Sequence, residues 1–223
     1  MSKPQFIFFD VGNTLLFPNR DLILAPLPED RRPTLDGWRA LERRTKSEFD
    51  RGVIRGTPDH GFWWTFHTYL LEQINSASDQ MRNTLVKNTQ NSANWDQILP
   101  GTRDALERIR QRYATAVISN SDGKIDAVLR RCGIFDCFAS VTDSGNVGHE
   151  KPHPAIFAAA LREMNADPAQ TLYVGDVYSV DYMGARAAGM QALLFDVAGA
   201  YRGQQVPRVE SLSELESWLT QNE

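Results

Sequence analysis

The sequence is poor in the features that mark several large classes of protein. It holds two cysteines, Cys132 and Cys137, in 223 residues. Two thiols cannot build a disulfide framework, nor can they complete a four-coordinate zinc site by themselves. They read as reduced, partly buried side chains. Positive charge is also scarce: 24 Lys and Arg against 28 Asp and Glu give a formal net charge of −4. Without a cationic surplus to neutralise phosphates, no nucleic-acid partner is expected. No apolar run approaches the ~20 residues needed to span a bilayer. The opening residues, Met1 to Gln5, lead directly into a strand-like segment. They lack the roughly 7–15-residue apolar stretch and small-residue cleavage site of a secretory signal. No membrane partner is expected, and these absences together point to the cytoplasm.

What is present suits a folded α/β protein. Hydrophobic residues make up 42% and charged residues 23%, an ordinary globular balance. The length fits one full α/β domain plus a modest insertion. Short, nearly unbroken apolar runs occur at residues 5–9, 114–118, 171–174 and 191–195, with a weaker one at 138–141. Such runs suit strands buried on both faces of a parallel sheet. Between them lie helical spacings. Thr102 reads as the cap of a helix bearing Leu106, Ile109 and Tyr113; Ile156, Ala160 and Met164 follow Lys151 and Pro152. Met183, Ala187 and Ala188 continue after Asp181 towards a C-terminal Gly189, and Leu212, Leu215 and Leu219 mark a last helix. Strand and helix in alternation predict a Rossmann-like parallel sheet with helices on both faces.

Residues 17–96 interrupt that alternation. Trp38, Leu41, Thr45 and Phe49 share one helical face, and Trp63, Phe66, Leu70 and Ile74 share another. The expected organisation is an α/β core made of residues 1–16 and 97–223, with residues 17–96 inserted as a helical cap. Residues 17–33, rich in proline, read as a loop.

Ligands of open parallel sheets bind beyond the carboxyl ends of the strands. Those ends carry Asp10 with Gly12, Asn13 and Thr14; Ser119 with Asn120; and Gly175 with Asp176, followed by Asp181. Lys151 lies in a loop between the third and fourth strands. Each alone could be a turn or cap residue. Together, three carboxylates, a lysine and two small hydrogen-bonding residues form a set suited to Mg²⁺ and phosphoryl transfer.

Four runs in order then resemble the haloacid dehalogenase-like hydrolases: Phe9-Asp10-Val11-Gly12-Asn13-Thr14, Val117-Ile118-Ser119-Asn120, Glu150-Lys151-Pro152, and Val174-Gly175-Asp176 with Asp181. The resemblance extends from the first strand to about residue 198 and places the helical insertion where the family's first-type cap belongs. It implies that Asp10 is a nucleophile forming an aspartyl-phosphate. Asp10, Asp176, Asp181 and the carbonyl of Gly12 would hold Mg²⁺, with Asp181 acting through a metal-bound water or by orienting Lys151. Lys151 would balance charge, and Ser119 and Asn120 would contact the phosphoryl oxygens of a small phosphorylated or otherwise anionic substrate. Monomer and homodimer are equally open.

One departure stands out. Phosphatases of the family carry a second aspartate two residues after the nucleophile, where this sequence has Gly12. That aspartate protonates the leaving group, typically worth about 10²–10⁴-fold in rate. His60, His67, His149 and His153 are conceivable substitutes, each read first as a surface or packing residue. The gap leaves open a low-activity metal-binding regulator and a 2-haloacid dehalogenase as alternatives to a phosphohydrolase. Phosphonate hydrolysis would need a cap lysine placed for a Schiff base, and nothing around Lys46 in the sequence suggests one. Arg20, in the proline-rich stretch, reads as solvated.

Overall fold

A computed structural model describes residues 3–55, 61–76 and 78–222. His60 therefore lies outside the described residues. Six strands form one sheet: β1 (Phe6–Phe9), β2 (Ala114–Ser119), β3 (Ser140–Asp143), β4 (Thr171–Gly175), β5 (Gln191–Phe195) and β6 (Arg208–Val209), in the order β3-β2-β1-β4-β5-β6. Every pairing is parallel. The helices are α1 (Arg20–Ile23), α2 (Leu35–Arg55), α3 (Phe62–Gln73), α4 (Asp79–Gln90), α5 (Thr102–Arg110), α6 (Ile125–Arg131), α7 (Ser144–Val147), α8 (Pro154–Glu163), α9 (Met183–Ala187) and α10 (Leu212–Gln221).

The apolar runs form central strands because both of their faces are covered. Phe8, Ala116, Ile118 and Tyr173 pack with Ile156, Phe157 and Ala160 of α8. On the opposite face Ile7, Phe9, Val117 and Val174 pack with residues of α5, α6 and α10, including Leu106, Leu129 and Leu215. Alternate residues of one strand thus feed two layers, which explains why polar positions are few in these runs. The expected α/β sheet with a helical cap is present.

The chain lays strands outward from β1 to β3, then returns to lay β4 on β1's other edge. This reversal opens a crevice beyond the ends of β1 and β4, where Asp10 and Asp176 stand.

The cap has its own core of Ile23, Leu24, Trp38, Leu41, Phe66, Leu70 and Leu85. Chain entering and leaving the insertion is pinned by a two-way backbone pairing of Phe17 with Gln97, at 2.8 and 3.2 Å. No helix among the described residues is long and apolar enough to cross a membrane.

Several local expectations need correction. Residues 17–33 are not simply loop: Asn19 caps α1 by accepting from the Leu22 amide, and a 3₁₀ turn follows at Glu29–Arg31. Burial of Ile23, Leu24 and Leu27 stabilises this stretch despite its prolines. A third long cap helix, α4, lacks the strong apolar stripe that marks α2 and α3 in the sequence; of its residues only Leu85 and Thr89 are buried. β3 starts two residues later than its apolar run, because Phe135–Cys137 form a 3₁₀ turn first. Thr102 opens α5 as its first helical residue, and Gly101, in the left-handed region, occupies the cap position. Gly189 ends α9 as expected, at φ 84°, with the Met190 amide donating to the Ala185 carbonyl.

Candidate active site

Asp10 follows β1 directly, its amide donating to the Val174 carbonyl at 2.8 Å. Asp176 follows β4 in the same way, so the central strand pair sets the two carboxylates side by side. Asp181 is brought back by the helical turn after β4. Gly175 makes that return possible: a Cβ there would lie 2.5 Å from the Asp181 carboxyl carbon. Suitably placed oxygens of Asp10, Asp176 and Asp181 all lie within 4.8 Å of one another.

Lys151 enters from the loop between α7 and α8. Its ammonium donates to Asp10 Oδ1 at 2.5 Å, Asp181 Oδ1 at 2.8 Å and the Tyr173 hydroxyl at 2.8 Å. The side-chain amide of Asn120 clasps the Lys151 backbone, accepting from its N–H at 2.7 Å and donating to its carbonyl at 3.0 Å. Thr14 donates to Asp10 Oδ2 at 3.3 Å. Asn13, at φ 55°, turns its amide towards Asp176 Oδ2 at 3.4 Å; asparagine tolerates this left-handed backbone better than most residues.

A second cation closes the cluster from the cap side. The ammonium of Lys46 on α2 lies 2.9 Å from Asp176 Oδ2 and 2.8 Å from Glu42 Oε1, and the residue is 1% exposed. In this network four carboxylates (Asp10, Asp176, Asp181, Glu42) face two ammonium groups. Two negative charges remain without a cation. Burial pushes the Asp10 carboxyl up to about 6, with Lys151 opposing the rise. Burial pushes Asp176 up to about 7, against the pull of Lys46. Burial alone would lower both lysines, but Asp10 and Asp181 outweigh it at Lys151, and Asp176 and Glu42 at Lys46. Both amines are held above their ordinary range and stay protonated.

A family model described as haloacid dehalogenase-like hydrolase matches residues 5–189, most of the 223-residue chain. This chain belongs to the haloacid dehalogenase-like hydrolases. Human haloacid dehalogenase-like hydrolase domain-containing protein 3 is 34% identical over 205 residues, covering 85% of this chain and 81% of that protein. A glyceraldehyde 3-phosphate phosphatase of Methanothermobacter thermautotrophicus is 39% identical over 130 residues, 54% of this chain and 58% of that one. Among solved structures, the magnesium-bound HAD-hydrolase YfnB of Bacillus subtilis superposes with a TM-score of 0.71, covering 98% of this chain and 99% of that one at 19% identity. At that identity the superposition speaks for the fold.

The hydrolase fold brings Asp10, Gly12, Ser119, Asn120, Lys151, Asp176 and Asp181 together around one cavity of about 520 Å³. Two refinements follow from their partners. Asp181 accepts from Lys151 and Tyr173 at Oδ1, and from the Asp176 and Val177 amides at Oδ2. With both oxygens engaged, it is well placed to orient Lys151. The Asn120 amide is similarly occupied by Lys151, while Ser119, buried at the end of β2, lines the cavity. The chemistry of the set fits a divalent cation: buried hard oxygens and an excess of two negative charges.

None of the described histidines lines the cavity. His67 is buried in the cap, bonded to Thr89 at 2.7 Å, and burial drives its pKa down to about 3. His149 and His153 are exposed and stacked on each other, and His153 caps α8 by accepting from the Ala155 amide. Arg20 donates to the Pro33 carbonyl at 3.4 Å.

Sequence reasoning missed four contributors. Tyr173 hides inside an apolar strand. Glu42 and Lys46 sit four apart on a helix, a pattern that ordinarily marks a solvated face. Trp95 covers Gly12, where an added Cβ would lie 3.3 Å from its ring carbon Cζ3. Only the Glu42–Lys46 spacing offered a signal, because both lie beside the apolar stripe of α2.

Proposed function

We propose that this chain is a cytoplasmic, Mg²⁺-dependent phosphohydrolase that acts on a small phosphorylated metabolite through an aspartyl-phosphate at Asp10. The observation that carries this reading is the buried pairing of Lys151 with Asp10 inside a carboxylate cluster two charges short of balance. The phosphatase named among the relatives adds support.

Asp10, Asp176 and the Gly12 carbonyl would hold Mg²⁺, with Asp181 acting through a water or through Lys151. The bound ion would neutralise charge on the transferring phosphoryl group. The phosphate would rest between the core, residues 1–16 and 97–223, and the cap, residues 17–96. An oxygen of Asp10 attacks phosphorus, and the P–O bond to the leaving group breaks with its electron pair going to the leaving oxygen. Water then attacks the same phosphorus and returns Asp10 as carboxylate. Lys151 offsets the charge on Asp10 and on the phosphoryl oxygens throughout. Ser119 contributes a hydroxyl to those oxygens, and Asn120 acts chiefly by fixing Lys151. Gly12 donates no proton, so departure depends on the leaving group itself.

The test is turnover of an aryl and an acyl phosphate by the purified protein, with and without Mg²⁺, against Asp10→Asn. The wild type should release phosphate only with metal, and the variant should not. Equal rates for both proteins across the panel would sink the enzyme reading and favour a metal-binding regulator. Metal-free halide release from a 2-haloacid would replace it with a dehalogenase.

A further inference from the structure

The space beside Gly12 is filled by an indole. The six-membered ring of Trp95 lies over the position, and the three atoms nearest to a Cβ added at Gly12 are all ring carbons of Trp95, at 3.3, 3.6 and 3.7 Å. Trp95 is fixed there, its Nε1 donating to the Thr89 carbonyl at 2.7 Å. Its ring meets Trp63 edge-on at 5.4 Å; Trp63 meets Phe62 at 5.0 Å, and Phe62 meets Phe49 at 5.5 Å. All four rings line the cavity that holds Asp10. They form a continuous edge-to-face wall from α2 across α3 to the nucleophile loop.

What this wall omits matters equally. Among the described residues, no cap residue lining the cavity has an ionisable side chain. The remaining acids on the lining outside the cluster, Asp122 and Glu150, belong to the core and are exposed. The described cap residues therefore present π-faces and edges to the group attached to the phosphate, with no charge among them to grip a second anion and no acid among them to protonate a departing alkoxide.

Resting on the phosphohydrolase reading, we infer that the substrate is a phosphate joined to a flat, aromatic leaving group, an aryl phosphate, seated against Trp95 and Trp63. A phenolate is stable enough to leave with the P–O electron pair unaided and takes its proton from solvent afterwards, whereas an alkoxide is not. Ring stacking adds attraction beyond area burial. Loss of the acid and gain of the wall are then one adaptation, since the indole occupies the acid's place.

The test is kcat/KM of the Mg²⁺-loaded protein on phenyl, 1-naphthyl, acetyl and simple alkyl phosphates. Aryl phosphates should exceed alkyl phosphates by about 10²–10⁴-fold, the value of the missing proton donor. Trp95→Leu should raise KM for 1-naphthyl phosphate about tenfold, the upper end of one ring contact, with Trp95→Phe recovering most of it. In Gly12→Asp alone the carboxylate should be obstructed, whereas Gly12→Asp with Trp95→Leu should gain on alkyl phosphates. Comparable rates on alkyl and aryl esters would overturn the inference and leave the phosphohydrolase standing. So would turnover of acetyl phosphate with none of the aryl esters. No turnover of any member, acetyl phosphate included, would overturn both.

Discussion

Two buried lysines reach one carboxylate cluster from opposite sides, by different structural routes. Lys151 comes from the core, on a loop clasped by Asn120, and pairs with Asp10 and Asp181. Lys46 comes from the cap, in the middle of α2, and pairs with Asp176 and Glu42. Lys151 lines the cavity, whereas Lys46 is absent from its lining and lies behind Asp176. Identical chemistry is thereby put in separate places: one ammonium faces the cavity beside Asp10, the other ties the cap to Asp176, a proposed metal ligand. The tie is broader than one ion pair. Asp50, one turn beyond Lys46, accepts from the Ser179 amide and the Tyr201 hydroxyl, each at 2.9 Å, and Arg43 donates to the Ala198 carbonyl at 3.0 Å. A polar stripe docks α2 on the core where an apolar one would be expected.

This contrast can be broken by substitution. The largest effect should come from Lys151→Met, which removes the cation facing the transferring group: kcat should fall about 10²–10³-fold, measured under Mg²⁺ saturation. A loss below tenfold would remove Lys151 from the mechanism. Lys46→Met should spare more of kcat but lower unfolding stability in chemical denaturation by about 3–5 kcal/mol, the cost of breaking a buried pair. It should also tighten Mg²⁺ binding by about tenfold in calorimetry, because a positive charge next to Asp176 repels the ion. Unchanged or weaker Mg²⁺ binding would contradict the separation of the two roles.

A smaller effect is expected at Gly175→Ala, where the added carbon meets Asp181. Overpacking of this kind costs about 1–3 kcal/mol and should show as a lower melting temperature with a reduced kcat. Smallest at neutral pH, and appearing only on acidification, is an effect within the cap. Burial holds His67 at about 3 in the folded state, below its ordinary 6.5. The unfolded chain therefore binds the extra proton, so stability from this group is intact above pH 6.5 and lost as pH falls towards 3. The slope cannot exceed ~1.4 kcal/mol per pH unit for one proton. His67→Phe should flatten this part of the acid limb in denaturant titrations, since Thr89 keeps its bond to the Leu85 carbonyl. An unaltered limb would show that His67 does not set it.

Legibility in the sequence follows the same divide. Asp10, Ser119 and Asp176 could be placed because each ends an apolar run, and parallel strands put their carboxyl ends on one edge. Lys151 could be added to the set from its loop between the third and fourth strands, but its pairing with Asp10 and Asp181 had no periodicity to carry it. Nothing local to Lys46 or Asp50 says that Asp176, Ser179 and Tyr201 will pair with them. Trp95 follows a short 3₁₀ turn at Ser92–Asn94 and carries no spacing that links it to Gly12. Its contact spans more than eighty residues of chain and exists only once the cap is seated.

The sequence by itself determined the parallel sheet, the helical insertion and the carboxylates at the strand ends. Those features depend on burial patterns and on the fixed geometry of adjacent strands, both local properties. Only the tertiary structure decided that a cap lysine shares Asp176 with the core, that the Asn120 and Asp181 side chains are committed to Lys151, and that an indole fills the space left by Gly12. These depend on how the cap sits on the sheet, an orientation set by contacts between distant segments that no spacing encodes.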